Sequence, residues 1–168
     1  MHPHVADKTV VGAISFRQTC LLVYDGFSTD DRMGAHVVAG KRELISNGNP
    51  MEAIVGFSRA VRVGSYIAVG GTAPVDQSGK TVGVGDVFIQ TKQCFEIIKA
   101  ALEEAGSGLH DIVRTRVILT DIDNWKQAIE ARKLYCLDAR PVDTIMAIDR
   151  FVNPEWLVEI EVDAVVAD

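Results

Sequence analysis

The sequence predicts a two-layer α+β fold, in which a mixed sheet of about six strands carries two helices on one face. The C-terminal stretch Leu157–Val166 alternates apolar and acidic residues with the period of two that a pleated strand imposes. Two earlier stretches, Asp86–Ala105 and Trp125–Leu137, carry apolar residues at helical spacing. Because two helices cannot cover both faces of a sheet, the second face is predicted to lack a helical layer.

The composition of the chain is typical of one globular domain. The 168 residues are 48% hydrophobic and 24% charged, which excludes a wholly disordered chain. The net charge of −6 and the absence of a Lys/Arg cluster argue against a nucleic-acid partner. No apolar run approaches the length of about 20 residues needed to span a bilayer, and the N-terminus lacks the pattern of a secretory signal. We therefore expect no membrane partner and a cytoplasmic location.

The cysteines and histidines predict neither disulfides nor a metal site. Cys20, Cys94 and Cys136 have no CxxC spacing, so we expect reduced thiols. Cys94 and Cys136 fall within the predicted helices beside aromatic residues, which favours buried packing over a nucleophilic role. The four histidines show no ligand spacing.

The first 40 residues differ in character from the rest of the chain. Ala13–Tyr24 has a strand-like composition, but a charged, turn-rich stretch follows it. Residues 1–40 are interpreted as an extension of unknown role, either a loosely attached arm or a functional addition. The domain itself is predicted to cover residues 41–168.

Within that domain the elements are predicted in a definite order. They are a strand at Arg42–Ser46, a hairpin of Phe57–Val63 and Ser65–Gly70, the first helix, a strand at Asp111–Thr120, the second helix, and a closing hairpin of Asp143–Arg150 and Leu157–Val166. Gly70 and Gly71 end the first hairpin. They indicate either a bulge or a place where a ligand approaches the main chain.

Charged side chains are predicted on the sheet face without helices. Strand alternation places five of them there: Arg114, Arg116, Glu159, Glu161 and Asp163. This face is either solvated, as in many antiparallel sheets, or lines the interface of a symmetric oligomer with clefts between subunits. Arg from one strand and Glu from another could pair across it.

From about Glu43 to Val166 the chain resembles the Rid family, also called YjgF-like or L-PSP proteins. The resemblance lies in three passages: VGSYIAVGGTAPVD, DIVRTRVILTDIDNW and IDR…VEIEVDAVV. It implies a Rid/chorismate-mutase-like α+β fold and a homotrimer with three clefts between subunits. Active members hydrolyse enamines and imines to keto acids and ammonia without a metal or cofactor.

The resemblance also implies site residues. Glu159 corresponds to the Glu that positions water on the imine carbon. Phe57 falls near a pocket Tyr, and Gly70, Gly71 and Thr72 match a glycine-rich strand end that contacts substrate. Ile145 is also expected to contact the substrate.

One position departs from the family pattern. The arginine that binds the substrate carboxylate is replaced by Asp143, so a carboxylate beside it would meet repulsion of about 1 kcal/mol or more. Amino-acid-derived imines are therefore expected to bind poorly. Arg140 or Arg150 either replaces the missing cation or remains on the surface.

Three functions follow as hypotheses. In the first, Asp143 and Glu159 form a catalytic carboxylate pair that hydrolyses a C–N bond of a neutral or cationic small molecule. In the second, the clefts bind a metabolite without turnover. The third, endoribonuclease activity, is disfavoured by the acidic composition.

Overall fold

A computed structural model describes residues 41–167 of the chain, so the extension at residues 1–40, including the strand-like stretch Ala13–Tyr24, lies outside it. The elements are β1 (Arg42–Ile45), α1 (Met51–Val55), β2 (Ala60–Val63), β3 (Tyr66–Thr72), α2 (Val87–Glu104), β4 (Ile112–Leu119), α3 (Trp125–Cys136), β5 (Val142–Ala147) and β6 (Val158–Val165). The predicted α+β class, with a mixed six-stranded sheet and two long helices, is confirmed. The short helix α1 was not predicted; it begins after Pro50 and ends at Gly56, whose φ is +82°.

The six strands form one sheet in the order β1-β2-β3-β6-β4-β5. All neighbours are antiparallel except β4 and β5, which are parallel. The expected closing hairpin is therefore wrong, because β4 lies between β5 and β6. A parallel pair needs a crossover connection, and α3 supplies it between β4 and β5.

The core lies between the sheet and the helices α2 and α3. Its fully buried side chains include Phe95 and Ile98 of α2 and Val117, Ile160 and Val162 of the sheet. On this side of the sheet, which we call the helix face, residues 117, 160 and 162 alternate with the outward-pointing residues of β4 and β6. The predicted apolar alternation of β6 is confirmed by this packing.

A buried glutamine holds the loop that connects β5 to β6. The Gln90 side chain of α2 donates to the carbonyl of Glu155 at 2.8 Å and accepts from the main-chain N–H of Leu157 at 2.8 Å. Both hydrogen bonds are partly buried, and they also satisfy the fully buried Gln90 amide, for which a missing partner would be costly. Gln90 therefore fixes the point at which β6 begins, just before Glu159.

The opposite side of the sheet, which we call the open face, carries the charges that the alternation predicted. Arg116 contacts Glu161 at 3.2 Å and Asp163 at 3.4 Å, and Arg114 lies 3.4 Å from Asp163. The Tyr66 hydroxyl also donates to Asp163 at 2.7 Å. The two long helices α2 and α3 pack on the helix face and leave this face without a long helix, and the expected pairing of Arg with acids across strands is confirmed.

Candidate functional site

The candidate site forms around a bulge in β3. The pairing of β3 with β6 shifts register between Val69 and Thr72, so Gly70 and Gly71 fall outside the regular ladder. The buried Thr72 hydroxyl donates to the carbonyl of Gly70 at 2.8 Å and thereby stabilises the bulge. Both glycines are exposed. Of the two interpretations of this pair, the bulge is observed, and it leaves the main chain open to a ligand.

Glu159 lies directly against this bulge. A Cβ atom at Gly71 would stand 2.8 Å from Glu159 Oε2, so the carboxylate occupies space that only a glycine leaves vacant. Burial raises the pKa of the Glu159 carboxyl above its usual range; Arg59 opposes the rise, and Glu161 adds to it. A partly buried carboxyl with a raised pKa in an exposed recess of the main chain is a candidate for acid–base chemistry.

Arg59 is the residue that the sequence analysis missed. Its Nη2 donates to the carbonyl of Gly71 at 2.9 Å, and a Cβ atom at Gly70 would lie 3.3 Å from the same nitrogen. The residue is only 8% exposed, and its Nε has no hydrogen-bond partner among the described residues. The guanidinium lies 6.0 Å from the centre of the Phe57 ring, within the range of a cation–π contact.

The guanidinium of Arg59 and the carboxylate of Glu159 flank the same glycine. Burial lowers the pKa of Arg59, and the negative charge of Glu159 is among the groups that counteract the fall. Within residues 41–167, however, the two side chains form no ion pair or hydrogen bond with each other. A buried cation with unused donors beside an acid–base carboxyl can hold an anionic group of a small molecule while the carboxyl acts on a neighbouring atom.

Asp143 does not lie beside Glu159 within the chain. It pairs with Thr115 in the parallel β4–β5 register, and Thr115 is fully buried on the helix face, whereas Glu159 pairs with Ile118 on the open face. The Thr115 hydroxyl donates to Asp143, and Arg132 Nε lies 3.5 Å from the same carboxylate. A single chain therefore does not bring the expected Asp143–Glu159 pair together, and the negative charge of Asp143 is matched by Arg132.

The remaining expected residues take separate positions. Ile145 pairs with Val117 and packs against the core on the helix face. Arg150 is 86% exposed in the loop after β5 and lies 3.9 Å from Asp149. Arg140 follows α3 with a φ of +48°. Neither arginine contacts Glu159 in the described part of the chain, so Arg59 is the cation that the structure places beside it.

The two described cysteines have no nucleophilic character. Burial raises the pKa of Cys94 well above its usual value and that of Cys136 to about 11, so both thiols stay protonated at neutral pH. Cys20 lies outside the described residues. Across residues 41–167, no group of three or more His, Cys, Asp or Glu side chains is placed to hold a metal ion. None of the described helices is both long enough and apolar enough to cross a membrane.

The chain matches a known protein family. The model of the family described as Endoribonuclease L-PSP matches residues 47–166. These residues include Arg59, Gly71 and Glu159.

Relatives and solved structures agree with this match. A RutC family protein of Pyrococcus abyssi is 32% identical over 120 residues, covering 71% of this chain and 94% of the relative. The 3-aminoacrylate deaminase RutC of Acinetobacter baylyi is 27% identical over 120 residues, covering the same shares. The structure of a YjgF/YER057c/UK114 family member from Mycobacterium tuberculosis superposes with a TM-score of 0.68 at 36% identity, over 75% of this chain and 100% of that one. RidA from an Antarctic Psychrobacter superposes with a TM-score of 0.62 at 27% identity, over 66% of this chain and 88% of that one.

Proposed function

We propose that this chain, which belongs to the L-PSP family of YjgF and RutC proteins, hydrolyses an imine or enamine that carries a carboxylate. The observation that carries the proposal is the placement of Arg59 and Glu159 on either side of Gly71. A relative named as a 3-aminoacrylate deaminase supports it, because that substrate is an enamine with a carboxylate.

In this proposal Arg59 takes the role of the missing family arginine. Its guanidinium is buried and uses one donor on the Gly71 carbonyl, which leaves other donors for a substrate carboxylate. The repulsion expected from Asp143 is weakened, because Arg132 matches that charge and the sheet separates it from Glu159 within the chain. Anionic substrates are thus favoured over the neutral or cationic ones that the sequence suggested.

Glu159 moves the protons of the reaction. In its ionised form it accepts a proton from water while the water oxygen bonds to the imine carbon, and it passes that proton to the nitrogen to give a neutral carbinolamine. Glu159 then takes the proton of the carbinolamine hydroxyl, which becomes a carbonyl, and delivers it to the nitrogen as the C–N bond breaks and ammonia leaves. The sum is imine plus water giving ketone plus ammonia. Burial raises the pKa of Glu159, which makes its acid form easier to reach than that of an exposed Glu.

An oligomer is part of the proposal. The open face carries the five charged residues named above and also exposes large apolar side chains, including Leu44, Tyr66, Val142, Met146 and Val165. Such a surface supports the homotrimer that the resemblance implies, in which a neighbouring subunit would complete the cleft around Glu159. Light scattering coupled to size exclusion gives the subunit number directly.

The activity test uses imino acids generated in situ by an amino-acid oxidase, with the rate of ammonia release as the readout. Glu159→Gln is expected to lower kcat with little effect on KM. Arg59→Met is expected to raise KM about 10- to 100-fold, the value of a charge-assisted hydrogen bond. Arg150→Met, an exposed arginine outside the site, is the matched control.

Two results would overturn the proposal. One is wild-type kinetics in both Glu159→Gln and Arg59→Met. The other is a ligand that stabilises the protein in a thermal shift assay and is recovered unchanged, with no ammonia released above background. That second result would favour metabolite binding without turnover.

The family's endoribonuclease label is not part of the proposal. The net charge of −6 gives no attraction for a phosphate backbone. Two arginines of the open face, Arg114 and Arg116, are already paired with Asp163 and Glu161.

A further inference from the structure

Arg59 also borders a second cavity, which is separate from the candidate site. Its volume is about 450 Å³, and its walls are the segment 45–50, the turn 75–79 and one side of α2. Arg59 forms part of the wall, whereas Phe57, Gly71 and Glu159 do not. A molecule in this cavity would therefore meet Arg59 without reaching the carboxyl that performs the proposed chemistry.

The cavity wall contains one basic side chain among the described residues, that of Arg59. This guanidinium is buried and makes a single hydrogen bond within residues 41–167, to the Gly71 carbonyl. Its Nε has no partner there. A buried guanidinium that has more N–H donors than hydrogen-bond acceptors around it favours an anionic group nearby.

Three acids also line the cavity, and they differ in availability. Asp76 is occupied by its own turn, since it accepts from the N–H and hydroxyl of Ser78 and from the N–H of Lys80. Glu96 accepts one hydrogen bond, from the Tyr135 hydroxyl at 2.6 Å. Glu104, near the end of α2, is exposed and has no partner in the described part of the chain. Of the three acids, Glu104 is thus the one whose carboxylate is available to receive an ammonium group.

Apolar residues also line the cavity. They include Ile97 and Ala100 of α2, Ile45 at the end of β1 and Val75 in the loop after β3. The cavity wall therefore combines a cation, acids and aliphatic side chains.

We propose that this cavity is a second ligand site, which binds a small zwitterion with its carboxylate toward Arg59 and its amine toward Glu104. Because Arg59 is shared, occupancy draws the guanidinium away from Gly71 and weakens substrate binding on the Glu159 side. The inhibitory effect rests on the proposed function, whereas the binding itself does not.

The binding test uses the full chain and three six-carbon probes that differ in their charged end groups: 6-aminohexanoate, hexanoate and hexylamine. NMR titration is expected to show 6-aminohexanoate as the tightest ligand, with hexanoate about five-fold weaker and hexylamine weaker still. Shifts should concentrate on residues of the segment 45–50, the turn 75–79 and α2. Hexylamine binding as tightly as 6-aminohexanoate would overturn the role of Arg59.

Two variants test the location without touching the proposed catalytic residues. Ala100→Trp fills the cavity from an exposed position on α2 and should abolish binding, while Lys92→Trp, exposed on α2 outside the cavity, should leave it intact. Glu104→Gln should remove the preference for 6-aminohexanoate over hexanoate. Unchanged affinity and unchanged preference across these variants would refute the site.

The kinetic arm separates this inference from the proposed function. If the protein hydrolyses imines, 6-aminohexanoate should raise KM in the wild type and not in Ala100→Trp. If no hydrolysis is observed, the NMR titration still decides whether the cavity binds the zwitterion.

Discussion

Gly71 offers the sharpest test of the site, because the space beside it is defined. A Cβ atom there would lie 2.8 Å from Glu159 Oε2, whereas about 3.5 Å is a comfortable contact. In Gly71→Ala the carboxylate must move by roughly 0.7 Å or rotate away. A displacement near 1 Å at a catalytic group costs on the order of 10²-fold in rate, so we expect kcat/KM to fall 10- to 100-fold.

The same substitution should leave the fold nearly intact. Gly71 does not have a positive φ, and the atom that must yield is the end of a flexible side chain. Replacing glycine at such a position also lowers the entropy of the unfolded chain, so the change in unfolding free energy should stay within about 1 kcal/mol.

Gly108→Ala is the matched control for this experiment. Its added Cβ would also lie 2.8 Å from a movable group, the imidazole of His110, which is 82% exposed and away from the candidate site. Ammonia release and thermal unfolding are measured for both variants. Wild-type activity in Gly71→Ala, or an equal loss in both variants, would refute the placement of Glu159 at the reacting centre.

Three further predictions concern pH, the Asp143 network and the β5–β6 loop. Burial raises the pKa of Glu159, so activity that needs the ionised carboxylate should decline on acidification at a higher pH than for an exposed Glu. Arg59→Met removes the positive charge that opposes this rise and should move the acid limb of the kcat/KM profile to still higher pH. Asp143→Asn leaves Arg132 without its acid and should lower the free energy of unfolding by about 1–3 kcal/mol in urea titration. Gln90→Leu removes the partner of two partly buried loop groups and should lower the free energy of unfolding by about 1–3 kcal/mol in the same assay.

Each of these three predictions has a control variant that should behave differently. Glu161→Gln should move the acid limb to lower pH, since Glu161 adds to the raised pKa of Glu159. Asp149→Asn, at a side chain that is 97% exposed, and Gln77→Leu, at an exposed turn residue, should leave unfolding unchanged. A shift of the acid limb in the same direction for Arg59→Met and Glu161→Gln would contradict the electrostatic argument.

The strand periods predicted much of the fold but not the order of the strands. Alternation showed which side chains of β6 face the core, because that depends on the strand alone. It could not show that β4 lies between β5 and β6, because strands that follow each other in the sequence pair directly in many proteins. Whether β5 instead pairs in parallel with β4 depends on how the crossover helix α3 packs on the sheet.

Arg59 could have been found from the hairpin itself. The pairing of Val63 with Tyr66 around Gly64, extended along both strands, sets Arg59 opposite Gly70. A long side chain opposite a residue without one has space to lie along the sheet. The pairing of Asp143 with Arg132 could not be predicted, because it requires the relative position of α3 and β5.

The register of β3 against β6 also bears on how the protein folds. Arg59 and Glu159 are far apart along the chain, and they meet only when β6 pairs with β3 beside the bulge. Pairing over such a separation carries a large loop-closure entropy and tends to come late. A chain that has formed its first hairpin and α2 would then hold a buried arginine without its acidic neighbour, and completion of the sheet would coincide with assembly of the site.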